Sequence, residues 1–196
     1  MKLHLIRHGK SQRHSIGVWG RTFDSPLDPD FHPLMDQAKV AFSSIGEIDV
    51  FSSPLSRCLE SLGYILPREA RIIVVEELRA YHSGQFEDKT DAFMQANHSA
   101  YCNLSFADRF SAPQFGEESI VDQTRRVRRG FATLLDLATC DDAVLCTHYS
   151  VINIVANIVT GNSNVTTYGD GIFDVAEGAC LTFTFDEDAV RNELKT

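Results

Sequence analysis

The chain has 196 residues, 43% hydrophobic and 23% charged, an ordinary globular mix long enough to bury a core without staples. Lys plus Arg total 18 against 27 Asp plus Glu, a net charge of -9 that repels nucleic acid and anionic membranes, so any anion must be held by a local basic pocket. Five cysteines without a CxxC argue against a disulfide framework or zinc ribbon and for reduced thiols, and no apolar run reaches the ~20 residues of a membrane span.

The first predicted strand, KLHLIRH (2–8), begins almost at Met1 and leaves no leader pattern, so export is not expected and a cytoplasmic location is. A helix is predicted over PLMDQAKVAFSSI (33–45). IDVFSS (48–53) reads as the second strand and SPLSRCLESLGYIL (53–66) as a helix, with Ser53 as N-cap and Pro54 in its first turn. RIIVVEEL (71–78) reads as a third buried strand. The helix predicted over 117–138 places Ile120, Val127, Phe131, Leu134 and Ala138 on one face. DAVLCTHY (142–149) is the fourth strand, followed by an apolar helix (150–161) that stops at Gly161. ACLTFTFD (179–186) alternates like an edge strand. Strands alternating with helices imply an α/β fold, a three-layer α/β/α sandwich on a largely parallel sheet. The stretch from about 80 to 116 breaks this rhythm and is rich in aromatic residues. It is expected to form a lid lobe inserted in a single domain spanning 1–196.

Three predicted strands end in reactive groups: Arg7-His8-Gly9, then Ser52 to Arg57, then Thr147-His148. Ligands of parallel α/β sheets bind at the carboxyl ends of strands, so Arg7, His8, Arg57 and His148 are expected to converge. Two guanidinium forks and two imidazoles suit a phosphoryl group. A neutral imidazole can attack phosphorus, and a second can stabilise the charge on its oxygens. Gly9 allows a close backbone approach, and the amides of Tyr149 and Ser150 can add donors at a helix start. The seven histidines show no HxH or HExxH spacing, so no metal or other cofactor is expected. The Arg-rich run 124–129 reads as a solvated helix face, and Gly20, Gly46 and Gly63 as turn or cap residues.

LIRHGKS (5–11) resembles the RHG signature of the histidine phosphatase superfamily, the phosphoglycerate mutase-like clan. SSPLSRCLES (52–61) is similar to its SPLxRAxxT motif, FGEES (115–119) to its GES segment, and VLCTHYS (144–150) to its final strand-end histidine. The resemblance implies that His8 is the phosphorylated nucleophile and that Arg7, Arg57 and His148 complete the phosphate pocket. It further implies a phosphatase acting on a small phosphorylated metabolite or a protein phosphohistidine. The sequence departs from the family at His14, where Asn is frequent, and at Tyr149, where Gly is usual. In LRAYHSGQFED (78–88), the family's LxExxxGxxEG places its proton-donating Glu at the position of Ala80. Glu87 and His82 are the leading substitutes for that acid, with Glu77 and Glu118 further candidates. Without one, the reaction favours leaving groups that need little protonation. The alternatives are a non-catalytic member that binds phosphate esters, and a phosphoglycerate mutase-type phosphotransferase, against which Ala80 and the short chain argue.

Overall fold

The computed structural model describes residues 1–43, 45–67, 69–162 and 173–195. Ser44, within the helix predicted over 33–45, lies outside them, as do the side chains of His14, Phe106 and Phe110. Strands β1 (Lys2–Arg7), β2 (Asp49–Ser52), β3 (Ile72–Val74), β4 (Asp142–Thr147) and β5 (Cys180–Thr184) form one sheet in the order β3-β2-β4-β1-β5. β1 to β4 run parallel, and β5 runs antiparallel to β1 at the edge. Arg7 lies opposite Thr147 and Ser52 opposite Cys146, so the carboxyl ends of β1, β2 and β4 are level.

The helices are α1 (Gln12–Ser15), α2 (His32–Phe42), α3 (Ser56–Ile65), α4 (Asp91–Asn97), α5 (Ser99–Cys102), α6 (Phe106–Ser111), α7 (Ile120–Leu137), α8 (Tyr149–Val159) and α9 (Glu187–Leu194). Side-chain alternation along the strands builds two cores. Leu3, Leu5, Phe51 and Leu145 pack with Val127, Phe131, Val151 and Val155 from α7 and α8. Ile6, Val50, Val144 and Cys146 pack with Met35, Phe42, Cys58 and Leu62 from α2 and α3. Helices cover both faces, which is the expected three-layer sandwich. Each large apolar side chain so buried stabilises the fold by about 1.5–3 kcal/mol before entropy is counted.

Three local expectations are corrected. The third strand stops at Val74 instead of running to 78, because β3 has a neighbour on one side alone and turns into a 3-10 turn at Glu76–Leu78. Ser53 does not cap α3. The helix begins at Ser56, whose N–H and hydroxyl both bond the Asp24 carboxylate from a distant loop. α9 was not expected; Asp186 caps it by accepting the Ala189 N–H, and Arg191 ties it to Asp136 of α7.

The segment between β3 and α7 carries α4, α5, α6 and a 3-10 turn at Gly84–Phe86. Phe86, Met94 and Tyr101 form a small core of their own with Trp19 and Phe115. Two glycines permit this docking. Gly84 has φ +59°, and a Cβ there would sit 2.3 Å from the Phe115 carbonyl oxygen. A Cβ on Gly20 would meet the Glu87 carbonyl oxygen at 1.7 Å, so Gly20 marks a close approach of two backbones and not simply a turn. Among the described residues no helix is long and apolar enough to cross a membrane.

Candidate active site

The chain leaves β1 through His8, whose imidazole is buried. Its Nδ1 lies 2.7 Å from the Gly9 carbonyl oxygen, a group that can accept but never donate. The ring proton therefore sits on Nδ1, and Nε2 carries the lone pair. Arg57 Nε donates a hydrogen bond to that lone pair at 3.3 Å. Burial, then the Arg57 charge, hold the His8 pKa well below its ordinary value of 6.5; the Gly9 bond opposes them and Arg7 and Arg13 add to them. His8 is thus a neutral imidazole whose Nε2 accepts from a guanidinium.

His148 follows β4 and occupies the N-cap position of α8. Its ring lies 5.1 Å from the His8 ring, centroid to centroid. Its Nδ1 is 3.4 Å from an Arg57 terminal nitrogen and its Nε2 is 2.8 Å from Ser53 Oγ. Burial, followed by Arg57, His8, Arg126 and Arg7, keeps its pKa well below 6.5. The start of α8 turns the Tyr149 and Ser150 amides toward the same end of the sheet.

Arg57, on the first turn of α3, is the hub. Besides both imidazoles it donates to the carbonyls of Phe23 at 3.1 Å and Arg21 at 2.8 Å. Burial lowers its pKa, and the nearby Cys58, Asp24 and Glu87 oppose the shift. Arg7 sits at the edge of the group. Its guanidinium donates to the Val175 carbonyl at 2.9 Å, faces Glu177 at 3.4 Å and lies over the Tyr149 ring. Arg7 Nε is buried without an acceptor among the described residues. That is a donor suited to an anion. Gly9 contributes by its N–H, which Ser61 Oγ accepts at 3.0 Å.

The acid position is empty of acid. Ala80 is buried, and its carbonyl oxygen accepts from Arg126 at 3.4 Å. Glu87 is spoken for as an acceptor: its carboxylate takes the N–H groups of Thr22 at 2.9 Å, Phe23 at 3.2 Å and Ser83. His82 is exposed; its Nδ1 accepts the Gly84 N–H at 3.0 Å, and no described hydrogen bond joins it to His8, Arg57 or His148. Glu118 grips Arg126 bidentately at 2.7 and 2.6 Å.

The sequence reading missed three contributors. Arg13 is buried with its guanidinium on the carbonyls of Val18 and Trp19, and burial with the Arg21 and Arg57 charges lowers its pKa to about 10. Ser61 anchors Gly9. Arg126, read as part of a solvated run, instead reaches the carbonyls of Glu77 and Arg79. Spacing along α7 hints at this, since Arg126 neighbours the buried Val127 and Gln123.

A family model described as the histidine phosphatase superfamily, branch 1, matches residues 3–191. The chain belongs to this superfamily. A histidine phosphatase is a phosphoric monoester hydrolase, which agrees with the pocket just described. Similar solved structures include YhfR from Bacillus stearothermophilus, with TM-score 0.80 at 19% identity over 94% of this chain and 91% of that one. The alpha-ribazole phosphatase from Shigella flexneri gives 0.75 at 20%, over 95% and 91%. A mycobacterial glucosyl-3-phosphoglycerate phosphatase gives 0.65 at 20%, over 81% and 79%. At these identities the likeness to this histidine phosphatase is one of fold. No curated protein sequence matches.

Proposed function

We propose that this histidine phosphatase hydrolyses a phosphorylated metabolite or a protein phosphohistidine through a phospho-His8 intermediate. The observation that carries the reading is the His8 ring: Nδ1 donates to the Gly9 carbonyl, so Nε2 holds the lone pair, to which Arg57 Nε donates at 3.3 Å. In the first step the Nε2 lone pair forms a bond to phosphorus, and the bond from phosphorus to the leaving group breaks with its electron pair. Arg57 and His148, with Arg7 at the margin, offset the charge on the phosphoryl oxygens. In the second step water attacks phosphorus, the N–P bond returns its pair to Nε2, and the water protons leave on inorganic phosphate. No step calls on a metal.

Ala80 narrows the substrate class. A general acid typically contributes 10²–10⁴-fold, and most where the leaving alkoxide is a strong base. Glu87 and Glu118 are engaged elsewhere, and no described hydrogen bond joins His82 to the pocket, so in this reading the leaving group departs with little help. Acyl phosphates, phosphohistidine, anhydrides and aryl phosphates suit this pocket, and simple alkyl phosphates do not. The 80–116 lobe, docked through Trp19 and Phe115, is the element proposed to set specificity in a cytoplasmic enzyme.

Phosphate release across a leaving-group series, from acyl and aryl to alkyl phosphates, tests the reading. Rates should fall steeply as the leaving group becomes more basic, and His8→Ala should abolish all of them. A flat series would mean that an acid is at work. The second reading, a non-catalytic phosphate-ester binder, is favoured by the departures at Ala80, His14 and Tyr149. Tight binding with no release above the His8→Ala background would establish it.

A further inference from the structure

Arg7 stands next to His8, and a segment far along the chain anchors its guanidinium. Nη1 donates to the Val175 carbonyl at 2.9 Å and Nη2 to Glu177 Oε1 at 3.4 Å. The Tyr149 ring lies against the guanidinium, its centroid 5.3 Å from Cζ. The main chain repeats the grip. The Gly178 N–H donates to the carbonyls of Arg7 at 2.9 Å and His8 at 3.2 Å, and the Arg7 N–H to the Ala179 carbonyl at 3.1 Å. One nitrogen is left over: Arg7 Nε is buried and has no acceptor among the described residues. A buried donor left unmade is costly, so a group that completes it is favoured. The Arg7 charge is felt at both imidazoles, where it helps to lower the pKa of His8 and of His148. With both terminal nitrogens turned to residues 175–177, Nε is what Arg7 has left to offer an anion in the pocket.

Glu177 is the unexpected member of this clamp. A carboxylate 3.4 Å from Arg7 sits where it repels a phosphoryl anion and weakens the cation that would hold one. Its charge also reaches Arg13, whose lowered pKa it opposes. The geometry offers a role that offsets this repulsion. A hydrogen bond to the Val175 carbonyl alone leaves the guanidinium free to turn about that contact. A second acceptor on the other terminal nitrogen fixes its plane, and with it the direction of Nε–H.

We propose that Glu177 is a positioning residue: by accepting from Arg7 Nη2 it pins the guanidinium between itself and the Val175 carbonyl, and so aims Nε–H at a phosphoryl oxygen. This rests on the reading of the pocket as a phosphoryl site.

The two effects of Glu177 have opposite signs, and inorganic phosphate binding separates them. A carboxylate that acted only by its charge would, once removed, let phosphate bind more tightly. A positioning carboxylate gives the reverse: Glu177→Ala should bind phosphate about 10-fold more weakly, as expected for a misdirected bond from a charged donor. KM for an aryl phosphate should rise by a similar factor with kcat little changed, because the Arg7 contact is made in ground and transition states alike. Glu177→Gln, which keeps an oxygen for Nη2 and drops the charge, should regain the lost affinity. Tighter binding by Glu177→Ala, or a Glu177→Gln as weak as Glu177→Ala, would overturn the proposal. The wild type gives a direct view. With ¹⁵N-labelled arginine, and Arg7→Lys to assign the signal, the Arg7 Nε–H proton should move downfield when phosphate binds, and that movement should be lost in Glu177→Ala. The failures are separable: phosphate bound with this proton unmoved would refute the role of Glu177 alone, and a wild type that binds no phosphate would refute the phosphoryl-site reading and the proposal with it.

Discussion

In the proposed mechanism the Gly9 carbonyl leaves Nε2 as the attacking nitrogen of His8, and Ala80 leaves that step without the usual acid. Those two residues define the chemistry more sharply than the rest of the pocket. Putting the acid back should show it. Ala80→Glu is expected to raise kcat/KM on alkyl phosphates by about 10²-fold while leaving p-nitrophenyl phosphate nearly unchanged. Equal gains on both substrates would mean that the new carboxylate acts on binding and not on proton transfer. His82→Ala, at an exposed ring tied to Gly84, should leave the leaving-group series as it is in wild type. His8, Arg57 and His148 were legible in the sequence because each stands at or just past a strand end, beside residues of a recognisable signature. The contact of Ser53 with His148 was not legible. A Ser before Pro reads as a helix cap, and only the fold brings His148, 95 positions away, within 2.8 Å of its hydroxyl.

The loop after α1 joins the site to the inserted segment. Glu87 accepts the Thr22 and Phe23 amides, and the carbonyls of Arg21 and Phe23 in turn accept from Arg57. One carboxylate thus holds the backbone that holds the central guanidinium. Glu87→Ala should cost about 3 kcal/mol of stability, read by urea unfolding, because three backbone donors lose a charged acceptor. It should also raise KM through a looser Arg57, without changing the slope of the leaving-group series. A changed slope would make Glu87 the acid after all. Gly20→Ala should fail in the same way, since its Cβ would strike the Glu87 carbonyl. The spacing Gly84 to Glu87 was readable, but a carboxylate looks alike in sequence whether it gives a proton or accepts three amides. Arg126 shows the converse. A run of arginines suggests solvent, and the pairing with Glu118 across two elements reverses that for one of them.

Across the whole molecule, burying neutral histidines makes stability depend on pH. His8 and His148 titrate well below 6.5 when folded, and burial among arginines is the cause. His4, on the α2 side of β1, is shifted the same way by burial and by Lys2. The unfolded chain takes up these protons near pH 6.5 and the folded chain does not, so their contribution is fully present above pH 6.5 and is lost as pH falls below it. The melting temperature should therefore be lower at pH 5.5 than at 7.5, and bound phosphate should flatten the difference, because an anion in the pocket favours protonated imidazole. A flat profile without phosphate would contradict the buried neutral pair. The five strands and the two-sided core were legible because apolar periodicity is a strong signal. The early end of β3 and the presence of α9 were not, since each depends on which neighbour the sheet or α7 supplies.

The central claim is the covalent step, and rapid-quench trapping tests it most directly. Wild type mixed with ³²P-labelled acyl or aryl phosphate and quenched in alkali should carry label that is stable to base and lost in acid. Peptide mapping should place it on His8, and His8→Ala should carry none. Turnover without any such label, or label on a residue other than His8, would contradict the account.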